Sequence, residues 1–399
     1  MTPSPSDTPI RLGIAIAFIT MAVALGPIST DLYLPSLPSI GSSFGTDAVT
    51  VQLTLSVFLI AFGVSQLFYG PLSDRFGRRP ALLTGLAIYT TASLACWIAP
   101  TIEILIVARF FQALGGCAGP VIGRAAIRDV YGRVEGARVL AYVATAMALA
   151  PAAGPVLGGF LEGWFGWRAN FLVLTLFGGI ALAGIWLKLP ETNRHMTPDA
   201  TRPKRIFRNF GDFLAHPTYR AYAFAGAFSY CGLFCFISAS PLVFIDAFGV
   251  KPEIYGFCFA AIVVGYMAGT QFGGRLVRRF GVAPMTRLGA FLNLVAGVAM
   301  TGVELAGFGS VATVLPLMVL YMIGLGIMMP NALAGLMAPF PERAGAATAF
   351  QGFSQFAMAA VVGIAVTEMY DRSALPMAIG IAAMGLLAVA FCFRLREEE

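Results

Sequence analysis

Gly70-Pro71-Leu72-Ser73-Asp74-Arg75-Phe76-Gly77-Arg78-Arg79 gathers charge into one short string, in a chain where charged residues make up only 12%. Apolar runs flank it at 49–70 and 81–99. A hydrocarbon layer about 30 Å thick is crossed by roughly 20 apolar residues rising 1.5 Å each, so the string reads as a polar loop between two membrane-spanning helices. Working outward, further runs fall at 12–37, 102–123, 137–161, 168–189, 219–247, 254–276, 284–304, 310–338, 345–370 and 374–394, which makes twelve spans. With 58% hydrophobic residues and a mean hydropathy of +0.80, a soluble domain would have almost no polar surface. A β-barrel is excluded because its strands are about 10 residues long and alternate in polarity, whereas these runs are continuously apolar. The expected fold is an all-α membrane protein whose spans close their backbone hydrogen bonds internally.

The net charge of +6 is unevenly placed. With twelve spans, one set of loops holds Arg75, Arg78, Arg79, Arg124, Arg128, Arg133, Arg138, Arg194, Arg202, Lys204, Arg205, Arg208, Arg275, Arg278, Arg279 and Arg287; the opposite set holds Arg168, Lys251 and Arg372. Cationic loops resist translocation, which places both termini in the cytoplasm of a multi-pass inner-membrane protein. The basic stretch Arg202–Arg208 then faces anionic lipid headgroups rather than nucleic acid. Arg11, the apolar run after it and Ala22-Val23-Ala24 imitate a signal peptide, but the segment is expected to remain as the first span. Cys96, Cys117, Cys231, Cys235, Cys258 and Cys392 all lie in apolar runs without metal-ligand spacing and read as small hydrophobes. His195 and His216 read as solvated loop residues, and neither a metal nor a cofactor is expected.

A polar stretch rich in Pro, Thr, Arg and Lys divides the chain. The expected organisation is an N-terminal six-helix half at 1–189, a cytoplasmic linker at 190–217 and a C-terminal six-helix half at 218–399. Arg75, Arg78 and Arg79 are matched 200 positions later by Arg275, Arg278 and Arg279, which favours duplication. Two duplicated halves imply a substrate site at their interface near the bilayer midplane, opened alternately to each side.

The opening string matches the loop pattern of the major facilitator superfamily: Gly, three residues, Asp-Arg, one residue, Gly-Arg, then Arg or Lys. Gly70 and Gly77 permit a tight turn, and Asp74 can meet a helix N-terminus or a neighbouring arginine such as Arg124. The resemblance implies a cytoplasmic latch between the halves, made by Gly70, Asp74, Arg75, Gly77, Arg78, Arg79 and Arg124. In the fourth span Arg109, Gln112 and Gly115 follow the family's Arg-two residues-Gln-Gly pattern, with Ala113 for the usual glycine. Arg109 lies about 12 Å from the start of its span at Thr101, deep in hydrocarbon, where a guanidinium costs about 2.5–3.5 kcal/mol, so it is expected to face a cavity or a carboxylate. Gly154, Pro155, Gly158 and Gly159 resemble the fifth-span string that marks proton-driven exporters in the superfamily; Pro151 and Pro155 interrupt backbone bonding, and the small residues admit a close neighbour.

Ser29-Thr30-Asp31-Leu32-Tyr33-Leu34-Pro35-Ser36-Leu37-Pro38 resembles the first-helix signature of the bicyclomycin/chloramphenicol-resistance (Bcr/CflA) drug exporters. The similarity continues in Gln52-Leu53-Thr54-Leu55-Ser56, Arg128-Asp129-Val130-Tyr131 and Ser238-Ala239-Ser240-Pro241, and so covers essentially the whole chain. Through this resemblance Asp31, with Arg109, is the candidate for proton coupling. Desolvation disfavours a carboxylate's charged form while a nearby arginine or drug cation favours it, and such competition links two cargoes. Counting from Arg11 also allows Asp31 to lie at the outer interface. Glu103, Glu162, Asp246 and Glu304 fall near outer boundaries and are expected to meet water. Tyr33, Gln112, Tyr230, Phe234, Phe236, Asn331, Gln351 and Gln355 are the candidate substrate contacts, a set suited to an amphiphilic ligand.

The expected function is proton-coupled efflux of small drug-like compounds by a monomer in membrane lipid. A proton-coupled importer or metabolite exporter on the same scaffold is the alternative. A proton gradient yields about 2.3 kcal/mol per 100 mV, and the chain contains no phosphate-binding loop for ATP. A receptor would need a signalling domain, and an intramembrane enzyme a paired catalytic constellation; neither is found.

Overall fold

The computed structural model describes residues 7–132, 134–193, 196 and 210–395. Fourteen helices labelled here make twelve membrane-length spans. The first span is broken: α1 (Asp7–Asp31) ends at the carboxylate, one 3-10 turn follows (Leu34–Ser36), and α2 (Leu37–Phe44) completes the crossing. Pro35 and Pro38 each sit in the first turn of the short helix that restarts the chain, where their missing N–H is no loss. The second and third spans are α3 (Ala48–Phe76) and α4 (Arg78–Trp97); the fourth is α5 (Ile102–Gly116) and α6 (Ala118–Tyr131) joined at Cys117. The fifth and sixth are α7 (Val134–Phe165) and α8 (Arg168–Lys188).

After the central stretch come α9 (Pro217–Pro241), prolonged by a π turn at Leu242–Ala247, and then α10 (Pro252–Phe280) and α11 (Val282–Leu305). The last three are α12 (Val311–Met337), α13 (Ala344–Glu368) and α14 (Leu375–Cys392). Several helices outrun their apolar stretches, α3 reaching Phe76 rather than residue 70. Hydropathy marks hydrocarbon thickness, and helical hydrogen bonding continues into the headgroup layer. Arg202–Arg208, His195 and most of the 190–217 linker lie outside the described residues, as does the Arg11 side chain.

The duplication keeps its place but changes register. α3 ends at Gly77 (φ +99°) and α10 ends at Gly281 (φ +85°), each a left-handed-side residue joining one helix to the next. Aligning the two breaks requires a register of 204 positions (Gly77 to Gly281), not 200. Phe76 then matches Phe280, Arg75 matches Arg279, and Asp74 is replaced by Arg278. The earlier arginine match was coincidental: loops on one side attract arginine whatever their ancestry.

The core shows how the two sets of six spans meet. The end of the bundle carrying both chain ends is here called the terminal end, and the opposite one the distal end. At the distal end one apolar cluster joins both sets, with Leu32, Tyr33 and Leu37 packed in the same body as Phe234, Phe244 and Tyr255. Toward the terminal end there are two separate clusters, one within the first six spans around Ile19, Leu86 and Ile185, the other within the last six around Tyr219, Met328 and Leu336. The two sets share one core distally, touch again at Phe62–Phe356 and Gln66–Gly352, and keep separate cores toward the terminal end.

Candidate functional site

Arg109 of α5 is fully buried, and its environment differs from either sequence expectation. It faces neither a cavity nor a carboxylate. Its Nη1 donates to the Ser29 carbonyl (3.0 Å) and to Gln112 Oε1 (2.6 Å), and its Nε reaches the Thr54 carbonyl at 3.4 Å. The guanidinium lies between the rings of Tyr33 (4.3 Å) and Phe58 (4.2 Å). Charge-assisted hydrogen bonds worth about 1.5–3 kcal/mol, and desolvated cation–π contacts worth about 2 kcal/mol, offset the cost of a buried charge. Nη2 is left without a protein partner.

Two candidate substrate contacts belong to this cage. Gln112, fully buried, accepts from Arg109 and donates to Ser93 Oγ (2.8 Å), while Tyr33, also fully buried, covers the guanidinium and meets Thr54 Oγ1 at 3.3 Å. Both position Arg109 and neither lines open space. Tyr89 closes the network by sharing a 2.6 Å hydrogen bond with Ser29 Oγ. In the other half the equivalent pair of spans is held by a neutral group, Tyr321 donating to the Ser229 carbonyl (2.6 Å).

Asp31 is buried, 6% exposed, at the end of α1. Thr30 Oγ1 donates to its Oδ1 (3.0 Å), and among the described residues no ion pair joins it to Arg109. The fifth-span glycines explain its placement. A Cβ on Gly154 would stand 3.2 Å from the Asp31 Cβ, and one on Gly158 would collide with the Leu32 carbonyl. On the same helix a Cβ on Gly159 would strike the Pro252 carbonyl of α10, and Gly256 of α10 lies equally close to the Pro155 carbonyl. The small-residue string therefore clamps the broken end of the first span on one side and the eighth span on the other. Leu32 and Tyr33, which follow Asp31, pack in one cluster with Tyr255 of the last six spans.

Of the remaining candidate contacts, Tyr230 is half-buried, its ring tilted against Phe234 (5.0 Å) and edge-on to Phe356 (5.6 Å). Gln351 donates to the Ala223 carbonyl (2.8 Å), Gln355 keeps 8% exposure, and Asn331 donates to the Ile327 carbonyl (2.7 Å). Phe234 and Phe236 are both buried in the distal core, Phe236 against Phe244 and Phe259. The two lie two residues, roughly 200° of helix, apart and so leave α9 on different faces.

Two residues quoted only for their resemblance turn out to seal the distal end. Gln52 Nε2 donates to Ser238 Oγ (2.8 Å) across 186 positions, and Ser56 Oγ donates to the Ala360 carbonyl (3.3 Å). Gly363 makes room for the first pair, a Cβ there standing 2.6 Å from Ser238 Oγ.

The Asp74 loop is also rebuilt. Asp74 pairs with Arg78 (2.5 Å) rather than Arg124, whose Nε donates to the Pro120 carbonyl (2.5 Å). Arg78 continues to Asp129 (3.1 Å), and Arg79 donates to the Trp186 carbonyl (2.8 Å). Glu191, overlooked as the start of a polar linker, accepts from the Arg78 and Arg79 amides (2.9 and 3.1 Å) and caps α4. Among the described residues the partners of Asp74, Arg78 and Arg79 lie in the first six spans or at Glu191 and Asn193, and none in the last six spans. Gly70 makes no turn either: it lies inside α3 with nothing within 4 Å of an added Cβ, and only Gly77 takes a positive φ.

Glu103 and Asp246 are exposed as expected, but Glu162 and Glu304 each turn one carboxylate oxygen inward without a protein partner. His216 is half-buried at the start of α9 and meets Phe340 edge-on (5.4 Å), so it is not a solvated loop residue. All six cysteines are buried thiols, and among the described residues no group of His, Cys, Asp or Glu has metal-binding geometry.

Residues 12–363 match the family model described as Major Facilitator Superfamily. The chain is 29% identical over 368 residues to the bicyclomycin resistance protein homolog of Haemophilus influenzae, covering 92% of both chains. It is 32% identical over 330 residues to the chloramphenicol resistance protein of Pseudomonas aeruginosa, covering 82% of this chain and 77% of that one. Its fold matches the partially occluded inward open conformation of the xylose transporter XylE from E. coli with a TM-score of 0.74 and 14% identity, over 96% and 97% of the two chains.

Proposed function

The chain belongs to the Major Facilitator Superfamily, and we propose that it is a drug exporter of the inner membrane that trades small amphiphilic compounds for protons, with Asp31 as the proton carrier. The observation that carries this reading is the placement of Asp31: a buried carboxylate at the break in the first span, clamped by Gly154 and Gly158 of the fifth. Its relatives named for bicyclomycin, chloramphenicol and multidrug resistance point the same way for cargo.

The terminal end is the cytoplasmic one in this reading, because its loops carry most of the arginines. A core shared distally and divided toward the terminal end fits a cytoplasm-facing state, in which Tyr230, Phe234, Asn331, Gln351 and Gln355 receive a drug and Asp31 gives its proton to the cytoplasm. Closure at that end and opening of the Gln52–Ser238 and Ser56–Ala360 seam would release the drug outward and let Asp31 reload. Residues 1–189 and 218–399 move as the two bodies, with 190–217 linking them. Arg109 holds the Asp31 end of α1 through the Ser29 carbonyl, two residues away, and supplies a fixed positive charge. The protein transports rather than catalyses, acts as a monomer and needs no cofactor. One proton is sufficient for neutral cargo, since a few kcal/mol sustain a concentration ratio of roughly a hundredfold.

Everted membrane vesicles with an imposed acid interior test this. Chloramphenicol-like, bicyclic and cationic compounds are expected to dissipate the gradient in wild-type vesicles and not with Asp31→Asn. Silence from folded wild type across the panel would turn the reading toward metabolite export or uptake on the same fold.

A further inference from the structure

The register of 204 positions superimposes an apolar stripe as well as a glycine. Phe68, Leu72 and Phe76 of α3 match Phe272, Leu276 and Phe280 of α10, and all four phenylalanines are about half exposed. The charged neighbours of the two stripes differ. α3 has Pro71 and Asp74 where α10 has Arg275 and Arg278, and Asp74 is paired with Arg78. From Phe272 to Phe280, α10 therefore carries three arginines and no acid, whereas the matching stretch of α3 carries one arginine and one acid.

The arginines of α10 face outward at headgroup depth. Tyr255, Phe259 and Val263 turn one side of the helix into the distal core, and at about 100° per residue Arg275 and Arg279 emerge on the opposite side. Val264, mid-helix on that outer side, is 61% exposed. Arg275 stands about 35 Å along the helix from its start at Pro252, where a hydrocarbon layer about 30 Å thick gives way to headgroups. Arg275, Arg278 and Arg279 are all exposed, and among the described residues none of them forms an ion pair. Arg279 lies 5.4 Å over the Phe280 ring, which leaves its N–H groups available.

We propose that this end of α10 binds one anionic phospholipid, its phosphate held by Arg275 and Arg279 and its acyl chain running back along Phe272. Charge complementarity argues for this occupant. Arg275 and Arg279 are one helical turn apart on one face, and their planar forks bind phosphate oxygens through paired, charge-assisted hydrogen bonds. A zwitterionic lipid brings its own ammonium and so neutralises none of the surplus positive charge. The stripe on α3 has no such surplus, because Asp74 offsets it. The site lies on the outer surface, away from Asp31 and the candidate cargo contacts, and the proposal does not rest on what the protein transports.

The test is native mass spectrometry of the purified full chain equilibrated with equal amounts of phosphatidylglycerol and phosphatidylcholine carrying identical acyl chains. Wild type is expected to retain phosphatidylglycerol about 25-fold over phosphatidylcholine, roughly fivefold for each of the two arginines. Arg275→Gln should leave a ratio of about five, and Arg275→Gln with Arg279→Gln a ratio of about one. Arg220→Gln, which removes an exposed charge from the same end of the bundle at the start of α9, should keep the wild-type ratio. Inorganic phosphate added to the wild-type complex should not release the lipid, since it has no acyl chain to lie along Phe272. Thermal unfolding reports that each variant is folded. Equal retention of the two lipids by wild type, an unchanged ratio in the double variant, an equal fall in Arg220→Gln, or release by inorganic phosphate would overturn the proposal.

Discussion

Arg109 does its work through shape as much as charge. A lysine there would keep the positive charge but lose the planar fork that reaches Ser29 and Gln112 while stacking between Tyr33 and Phe58. Arg109→Lys is expected to cost about 2–4 kcal/mol of stability, and to lower drug transport at least tenfold; thermal unfolding and vesicle uptake measure the two. At the rim of the bundle, Asp47 caps α3 by accepting from the Thr50 amide (2.6 Å), which holds its carboxyl below the usual range. A depressed folded value means that the contribution is fully present above the unfolded value of about 3.9 and is lost as pH falls through the folded one. Unfolding followed from pH 6 to pH 3 should therefore show an acid loss at this cap that is absent in Asp47→Asn. The need for an intramembrane arginine was legible from its depth alone. Its partners were not, because Ser29, Tyr33, Thr54 and Phe58 arrive from other helices, and nothing in their local sequence marks them as a cage.

Among the elements, α7 carries glycines that are set by contact. Gly158→Ala presses a methyl group into the Leu32 carbonyl, which is backbone and cannot rotate away, so α7 must retreat from the broken first span. Such overpacking costs about 1–3 kcal/mol, and the variant should lose transport while still inserting in the membrane. Gly70→Ala is the contrasting case. It sits within α3 with open space around it, so stability is expected to change by no more than about 1 kcal/mol, in the favourable direction, as thermal unfolding of the purified protein would report. The two glycines look alike in the sequence because a recognisable string does not distinguish a steric requirement from helix interior. Span number and type were legible, since hydropathy reports hydrocarbon thickness directly. The break after Asp31 and the kink at Cys117 were not, because neither interrupts the apolar pattern.

At the scale of the whole molecule, the distal seam and the divided core of the terminal end are what the proposed alternation between two states would exchange. Gln52→Ala removes the Gln52–Ser238 hydrogen bond, worth about 1 kcal/mol, and should raise the distally open population roughly fivefold. Spin labels at the exposed distal positions Ser42 and Asp371 would read this as growth of a longer inter-label distance. The duplication was visible in outline, but its register was not, because the arginines that suggested 200 positions are placed by topology while the paired glycines Gly77 and Gly281 require 204.

The central claim, that drug and proton exchange at Asp31, is tested most directly with purified protein in weakly buffered detergent solution, by recording pH as a chloramphenicol-like compound is added at saturating concentration. Wild type should release close to one proton per bound drug, and Asp31→Asn should bind the compound and release none. Equal proton release from both proteins, or drug binding by wild type with no release across pH 5 to 8, would contradict it.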